Sequence, residues 1–380
     1  MNGPALPRAG ALPAADAAAH AAGRKGDDHM TITGTATERP DARTTVSPES
    51  SPASGQTDFR PGTFALRDAW FPVVHTRLMG RRPVLRPIHG QPIYLWRENG
   101  TLKASEDSPE DRERGRYRTS EFTAGTGFYP TGERYGYAWV WYGDPAAASL
   151  DLIPRLPHLP VDGGLPRHFL SNVVFDCGYE LVCDNLLDLS HADLLHSWQQ
   201  RVAGSEITVS STSETVTMAR FARGRPVAKA SSRKLHADRQ DFRMVTLVHV
   251  RSGVCVLYGS YEPGMSVRML HPANPESANR TRTPITFDLQ RVSPLVRHLS
   301  PLSGHLIGRQ DNWALSAQNQ RYFPTADGSG GPDLNSRFDI AGLRYRKVYQ
   351  DLVARQRLGD YSYLPDGDPG RDVTAEIEGS

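Results

Sequence analysis

The sequence of 380 residues predicts an α+β protein in which an antiparallel sheet curls around a long helix. Short runs of strand composition fill residues 84–141, where turns such as Glu98-Asn99-Gly100 separate them. A second series of strand-like runs follows a helical segment later in the chain. Successive strands with flanking helices are typical of antiparallel α+β domains.

Composition divides the chain into four parts. Residues 1–58 contain no Phe, Tyr or Trp and are rich in Ala, Pro, Thr, Ser and Gly, so we expect a disordered N-terminal extension. Residues 59–160 are predicted to form the small β domain, which ends at the proline-rich connector Ile153–Pro160. Residues 161–363 are predicted to form the larger domain, and residues 364–380 a flexible tail.

Within the larger domain, the runs with strand composition predict five or six strands. They are Glu206–Val209, Glu214–Arg220, Val245–Val250, Val254–Tyr261, Ser266–Leu270 and Pro284–Leu289. The side chains that could line a substrate pocket between sheet and helix are Tyr258, Tyr261, Met269 and Phe287, although packing in the core is an alternative role for each.

Charge and cysteine content exclude several classes of partner. The formal net charge is only +2, which gives no reason to expect nucleic-acid binding. No apolar run is long enough to span a membrane. Cys177, Cys183 and Cys255 are too few and too dispersed for a disulfide framework, and they suit a reducing cytoplasm. We therefore expect a soluble globular protein of the cytoplasm.

The leucine-rich segment 185–196 concentrates side chains that can bind a metal. Asn185, Asp188 and His191 recur every three residues, so they would share one face of a helix. His191 and His196 are five residues apart, which separates them by about 140° on a regular helix. Both imidazoles can therefore reach one ion only if the helix is bent there or if the ion lies beyond its end.

A carboxylate far downstream offers a third ligand. Residues 308–318 form another helix-like segment, in which the apolar Trp313 and Leu315 follow Asp311 and favour an inward-facing carboxylate. Two histidines and one carboxylate make the facial triad that binds Fe(II) and leaves positions open for dioxygen and substrate. The alternative is that the histidines are hydrogen-bonded core residues and that Asp311 is a helix N-cap.

A different iron site remains open. The His-x-Asp pair of 2-oxoglutarate-dependent oxygenases occurs at residues 191–193 and 236–238. For the second pair, His298 or His305 would be the distal ligand, with Arg309 available for the cosubstrate carboxylate. The pattern is short, and the charged residues around position 236 favour a solvated loop.

The spacing Asn-x-x-Asp-x-x-His-x-x-x-x-His at residues 185–196 closely resembles the iron-binding motif of Rieske non-heme iron oxygenases, the catalytic α subunits of the vanillate and dicamba demethylase type. The resemblance extends from about Phe64 to Val353. It implies a small Rieske-like β domain followed by a helix-grip catalytic domain, in which an antiparallel sheet surrounds a long helix.

The resemblance also assigns roles to five residues. The family's iron ligands match His191, His196 and Asp311, which would bind mononuclear Fe(II). Asp188 matches the aspartate that bridges electron transfer from a neighbouring subunit, and the alternative is that it only anchors His191 by a hydrogen bond. Asn185 matches a position next to the ligands. In the family's manner, O2 would bind beside a small organic substrate, and the chain would form a homo- or hetero-trimer.

The chain departs from the family at the iron–sulfur ligands. A Rieske cluster needs two thiolates and two imidazoles, but the segment between Trp96 and Tyr135 contains no cysteine and no histidine. Ser108 occupies the expected cysteine position and Glu110 the expected histidine position, and the second ligand pair is deleted. We therefore expect no [2Fe–2S] cluster.

That departure determines where electrons must come from. The chain has no G-x-G-x-x-G fingerprint after a predicted strand, so a bound dinucleotide is not expected to supply them. Electrons would then come from a separate protein (a ferredoxin, a reductase or a cluster-bearing Rieske homologue), from the substrate, or not at all.

The predicted function is that of a mononuclear non-heme iron oxygenase. It would use O2 to hydroxylate, demethylate or oxidatively change the ring of a small aromatic or secondary-metabolite substrate. The alternatives are a non-redox metal-dependent lyase or isomerase, a catalytically silent partner subunit of a Rieske oxygenase complex, and a plain binding module.

Overall fold

The computed structural model describes residues 61–361, except 63, 158, 160–161, 163–164, 166–168, 189–190, 197–204, 227–236 and 323–338. The extension and the tail predicted at residues 1–58 and 364–380 lie outside the described residues. Within the described residues, no helix is both long enough and apolar enough to cross a bilayer. The three cysteines are buried and form no disulfide.

Two three-stranded antiparallel sheets form the first part of the described chain. In sheet order, the first contains β1 (Ala69–His75), β6 (Tyr137–Tyr142) and β5 (Thr131–Arg134). The second contains β2 (Val84–Leu85), β3 (Tyr94–Glu98) and β4 (Thr101–Ser105), and the short helix α1 (Pro109–Glu113) follows it. Asn99 and Gly100 both have positive φ angles, 50° and 81°, as the two-residue hairpin turn between β3 and β4 requires.

An eight-stranded antiparallel sheet forms the second part. Its order is β13-β14-β12-β11-β10-β9-β8, and β7 also pairs with β14. The strands are β7 (Phe169–Phe175), β8 (Glu206–Ser211), β9 (Thr215–Pro226), β10 (Arg239–His249), β11 (Val254–Glu262), β12 (Ser266–Pro272), β13 (Asn274–Ser277) and β14 (Arg280–Gln290). All six strands predicted from the sequence are present in it, whereas β7 and β13 were not predicted.

Helices cover one face of this sheet. They are α2 (Tyr179–Leu187), α3 (His191–Leu195), α4 (Pro294–Tyr322) and α5 (Ile340–Arg357). On β11, the side chains of Cys255 and Leu257 pack with the helices, and those of Val254 and Val256 pack on the opposite side. The antiparallel sheet with a long helix on its inner face confirms the α+β prediction.

The small β domain covers the outer face of the same sheet. Alternate residues of β6, namely Tyr137, Trp139 and Trp141, are fully buried against outer-face residues such as Val256. The Tyr137 hydroxyl donates a hydrogen bond of 2.6 Å to the carbonyl of Pro284 on β14. The two parts of the described chain therefore share one hydrophobic core through aromatic side chains.

Helix α2 approaches α5 closely because a glycine faces it. A Cβ atom added to Gly342 would lie 2.0 Å from Oδ1 of Asp184, so no larger residue fits there without movement. Asp184 in turn forms an ion pair with Arg346, whose Nε lies 3.1 Å from Oδ2. Burial raises the pKa of Asp184, and the charge of Arg346 opposes that rise.

Glu180 on α2 carries a fully buried carboxyl group. Its Oε1 accepts a hydrogen bond of 3.0 Å from the amide of Gly62 and lies 3.0 Å from the Tyr349 hydroxyl. Burial raises the pKa of Glu180 to about 7, and the hydrogen bonds only partly offset it. The protonated form is therefore the one that the fold favours.

We predict that Glu180→Gln reduces the pH dependence of stability. The folded pKa of about 7 lies above the ordinary glutamate pKa of 4.5, so this contribution is fully present below pH 4.5 and is lost as pH rises through 7. Glutamine does not titrate and keeps an acceptor for Gly62. Urea unfolding at pH 5 and pH 8 should show a larger loss of unfolding free energy in the wild type than in the variant. An equal loss in both proteins would contradict the assignment.

Candidate metal centre

The histidine segment contains a break between two helices. Helix α2 ends at Leu187, Asp188 has non-helical angles (φ −83°, ψ 84°), and α3 begins at His191. His196 follows the last residue of α3. Asn185, Asp188 and His191 therefore do not share one face of a single helix, whereas the bend that the histidine spacing requires is present. The five-residue spacing of the histidines, which does not suit one face of a regular helix, is accommodated because His196 lies just beyond the end of α3.

Three side chains converge at this break. His191, His196 and Asp311 each offer one ligand atom, and these atoms lie within 4.8 Å of one another. Oδ1 of Asp311 is 3.3 Å from Nε2 of His196 and 3.6 Å from Nε2 of His191. Two imidazoles and one carboxylate around a common point match the donor set of a facial triad.

The other ring nitrogen of each histidine is held by the protein. Nδ1 of His191 contacts the backbone carbonyl of Asp188, and Nδ1 of His196 lies 2.9 Å from Oε1 of Gln310. A proton on each Nδ1 leaves the Nε2 lone pair directed toward Asp311, which is how histidine ligands are oriented in metal sites. The contact from Asp188 to His191 thus involves its backbone, and no described contact assigns a role to the Asn185 side chain.

Asp311 lies in the middle of α4, so it is not the N-cap of a helix. Its side chain is buried, and within the described part of the chain its Oδ1 accepts no hydrogen bond. Burying a carboxylate oxygen without a partner is costly, and a cation would offset that cost. Burial opposes protonation of His196, but the proximity of Asp311 and Gln310 outweighs burial and raises its pKa. The donor atoms and their burial fit a divalent metal ion.

The other sequence-predicted residues on α4 have different surroundings. Trp313, which was expected to face inward, is 72% exposed, so that part of the prediction is wrong. His298 and His305, the distal ligands of the alternative iron site, are exposed on the same helix. His236, which that site also needs, lies outside the described residues.

Sequence reasoning missed a buried histidine on the inner face of the sheet. His271 on β12 lies on the same face as Val267 and Met269, which pack against the helices. Its Nε2 is buried and has no hydrogen-bond partner among the described residues. Burial lowers the pKa of His271 to about 4, and the charge of Asp311 acts in the opposite direction. The imidazole is therefore neutral and close enough to Asp311 to respond to its charge.

Two threonine hydroxyls share this inner face. Thr246 on β10 lies on the same face as Met244 and Val248 of the inner cluster. Thr283 lies on the corresponding face of β14. The Oγ1 atoms of both are buried without a hydrogen-bond partner in the described structure. Polar atoms of this kind, on an otherwise apolar wall, are typical of a ligand pocket.

The four predicted pocket residues divide between the two faces. Met269 and Phe287 belong to the inner cluster, as predicted. Tyr258 packs in the core on the outer face with the small β domain, so it takes the packing role and does not line an inner-face pocket. Tyr261 packs against Phe242 in a separate small cluster at the sheet end.

An arginine occupies the loops in which the iron–sulfur ligands were sought. Arg112 on α1 donates hydrogen bonds to the Ser105 hydroxyl (3.2 Å) and to the carbonyls of Thr126 (3.2 Å) and Gly127 (2.9 Å). Its guanidinium carbon lies 3.8 Å from the centre of the Phe128 ring, a cation–π contact. The two loops are thus connected by a charged side chain and its hydrogen bonds.

The residues at the expected ligand positions serve the short helix instead. Ser108 is the N-cap of α1, because its hydroxyl accepts a hydrogen bond of 3.2 Å from the Asp111 amide. Glu110 lies in the first turn, where a negative charge favours the helix dipole. A serine hydroxyl and a carboxylate do not fit the thiolate and imidazole donors of a Rieske cluster.

Comparison with known sequences identifies the larger domain. The model of the vanillate O-demethylase oxygenase C-terminal domain matches residues 175–355. The vanillate O-demethylase oxygenase subunit of Pseudomonas sp. (strain ATCC 19151) is 39% identical over 74 residues, which cover 18% of this chain and 20% of that protein. The oxygenase component of chloroacetanilide N-alkylformylase from Rhizorhabdus wittichii is 29% identical over 167 residues, 39% of this chain and 46% of that protein. The chain thus matches less than half the length of these curated relatives.

Solved structures extend the similarity to the fold as a whole. Dicamba monooxygenase bound to 3,6-dichlorosalicylic acid has a TM-score of 0.62 at 18% identity, and the match covers 77% of this chain and 98% of that one. Another structure of dicamba monooxygenase contains non-heme iron and dicamba. Residues 175–355, which include His191, His196 and Asp311, thus match the vanillate O-demethylase oxygenase C-terminal domain, and the fold of the chain is similar to that of dicamba monooxygenase.

Proposed function

We propose that this protein is the oxygenase component of a mononuclear non-heme iron system that hydroxylates, demethylates or oxidatively changes the ring of a small organic molecule. The observation that carries the proposal is the convergence of two oriented Nε2 atoms, from His191 and His196, on the unsatisfied Oδ1 of buried Asp311. These three residues would hold Fe(II). The bound iron would supply the binding and activation of O2.

The inner face of the sheet supports a mostly apolar substrate with one polar group. Met269 and Phe287 supply apolar surface. The neutral imidazole of His271 and the hydroxyls of Thr246 and Thr283 offer hydrogen bonds that the described protein leaves unmade. A few polar groups on an apolar wall fix the orientation of a small ligand. An aromatic or secondary-metabolite substrate with a hydroxyl, ether or carbonyl group fits these features.

The electrons would come from another protein. The Arg112 network and the N-cap role of Ser108 stand where thiolate and imidazole ligands would be needed, which supports a chain without a [2Fe–2S] cluster. A ferredoxin, a reductase or a cluster-bearing homologue in a homo- or hetero-trimer would then reduce the iron. Asp188, at the break before His191, would carry electrons across the subunit boundary, and Asn185 would support the ligand segment. Three free, buried cysteines suit a cytoplasmic location.

The same Arg112 network supports a second candidate function. A chain that cannot accept electrons through its own cluster could act as a metal-dependent lyase or isomerase, or as a silent subunit that stabilises an active partner. Oxygen transfer from hydrogen peroxide to the substrate, in which the peroxide itself supplies both electrons, separates the oxygenase from both alternatives.

We predict that protein purified without oxygen contains about one iron per chain and no acid-labile sulfide. His191→Ala should lose the iron, since a mononuclear site with two remaining ligands no longer closes around the ion. Metal analysis and a sulfide assay on the same samples provide the measurement. Sulfide in amounts matching the iron would overturn the cluster-free proposal. Iron that persists in the variant would place the metal elsewhere.

Asp311→Ala should remove both iron binding and O2-dependent turnover. Gln310→Leu tests the support of the site: it removes the acceptor that holds His196 Nδ1 and should weaken iron affinity by about 10- to 100-fold. Arg309→Ala, an exposed neighbour on the same helix, is the matched control and should bind iron normally. Competition with a chelator measures all three affinities. Normal iron affinity in Asp311→Ala would show that the triad is wrongly assigned.

Asp188→Asn should keep its iron but lose turnover that depends on a reductase. The backbone carbonyl that orients His191 is unchanged by this substitution, so the metal site should stay intact. Turnover driven by hydrogen peroxide, which supplies both the oxygen atom and the two electrons, should proceed, because it bypasses the partner protein. Reductase-dependent turnover at the wild-type rate would exclude the relay role.

A further inference from the structure

A cleft of about 390 Å³ opens on the outer face of the large sheet, opposite the metal ligands. Strand alternation fixes which face it occupies. Val245 and Tyr258, which line it, pack with the small β domain, whereas Met244 and Leu257 next to them in sequence pack with the helices. The cleft therefore lies on the opposite face of the sheet from His271 and Met269.

The register of four strands explains why a hollow forms here. Arg243, Ser260, Ser266 and Gln290 lie directly opposite one another across β10, β11, β12 and β14. The two central positions of this row are serines, whose short side chains leave a hollow in the middle of the row. The long side chains of Arg243 and Gln290 bound it at either end.

A second row closes one side of the hollow. Tyr258 lies opposite Arg268, and Arg268 lies opposite Asp288. The Tyr258 ring is almost fully buried and forms a rigid wall. Arg268 therefore lies in the row next to that of Arg243. It lines the cleft together with Ser260 and Ser266.

The charges around the cleft favour an anion. The lining carboxylate, Glu262, is bound at 3.0 Å by Arg291, which offsets its charge. Asp288, beside Arg268, accepts a hydrogen bond of 3.0 Å from the Gln290 amide. Three arginines thus face two carboxylates. A guanidinium has five N–H donors, so Arg243 and Arg268 can keep their existing contacts and still bind a carboxylate or phosphate.

We propose that this cleft binds a small organic anion, with one carboxylate or phosphate group between Arg243 and Arg268 and the hydroxyls of Ser260 and Ser266 completing its hydrogen bonds. The volume lies at the low end of the range for organic ligand sites, which suits a molecule built on a single ring. The site is independent of the metal centre and does not rest on the proposed oxygenase activity.

Calorimetric titration with three probes, each a single benzene ring with one polar group, tests the proposal. Benzoate and phenyl phosphate carry the two candidate anionic groups, and benzamide is the neutral control. Titration of the His191→Ala protein as well removes any contribution from the metal centre. We expect saturable binding of at least one anion, in both proteins, with no binding of benzamide. Whichever anion binds more tightly identifies the group that the site recognises.

Substitutions locate the binding. Arg243→Gln and Arg268→Gln should each weaken anion binding by about tenfold or more, because each removes a charge-assisted contact. Ser260→Leu fills the hollow without changing charge and should abolish binding. Arg344→Gln, at an exposed position on α5, is the control for general loss of positive charge and should bind normally. Circular dichroism checks that each variant is folded.

Two results would overturn the proposal. One is the absence of saturable binding of either anion up to millimolar concentrations. The other is equal affinity in wild type, Arg268→Gln and Ser260→Leu, which would place any bound anion outside the cleft. Because iron content is measured separately, neither result bears on the metal centre.

Discussion

The alternation of side chains across one antiparallel sheet is the constraint on which the rest of the structure depends. On β11, Cys255 and Leu257 point toward the helices, and Val256 and Tyr258 point toward the small β domain. Because both faces are buried, a slip of one residue in register would exchange the two sets and disrupt both cores. The same rule places His271 beside the metal ligands and Arg268, on the same strand, in the outer cleft.

The metal centre depends on a helix that stops early. If α2 continued past Leu187, His191 and His196 would point in different directions. The break at Asp188 frees a backbone carbonyl that holds His191, and Gln310 on α4 holds His196. Asp311 follows Gln310 directly, so one turn of α4 both orients a ligand and supplies another. A buried carboxylate in this position is costly until a cation satisfies it, which favours metal binding over packing as the role of these residues.

Sequence patterns predicted the parts of the fold that repeat and missed those that depend on a single contact. Six strands were predictable from period-two alternation, and the ligand set from residue types and spacing. The helix break was not, because Asn185, Asp188 and His191 follow a helical period that does not reveal where the chain turns. His271 has no neighbouring motif; only the pairing of β12 with its neighbours shows which face it occupies. Arg112 was missed because its partners are mainly backbone carbonyls.

The small β domain has a structural role that does not require a cluster. Its strand β6 contributes Tyr137, Trp139 and Trp141 to the core of the large sheet, so removal of these strands would expose extensive apolar surface. Its loops between β4 and β5 contribute nothing to that core. Arg112 bonds the loops to each other, as ligands around a shared cluster would. The strands thus pack into the core of the large sheet, whereas the loops can vary without loss of that contact. That separation lets the packing of the sheet persist whether or not the loops hold a cluster.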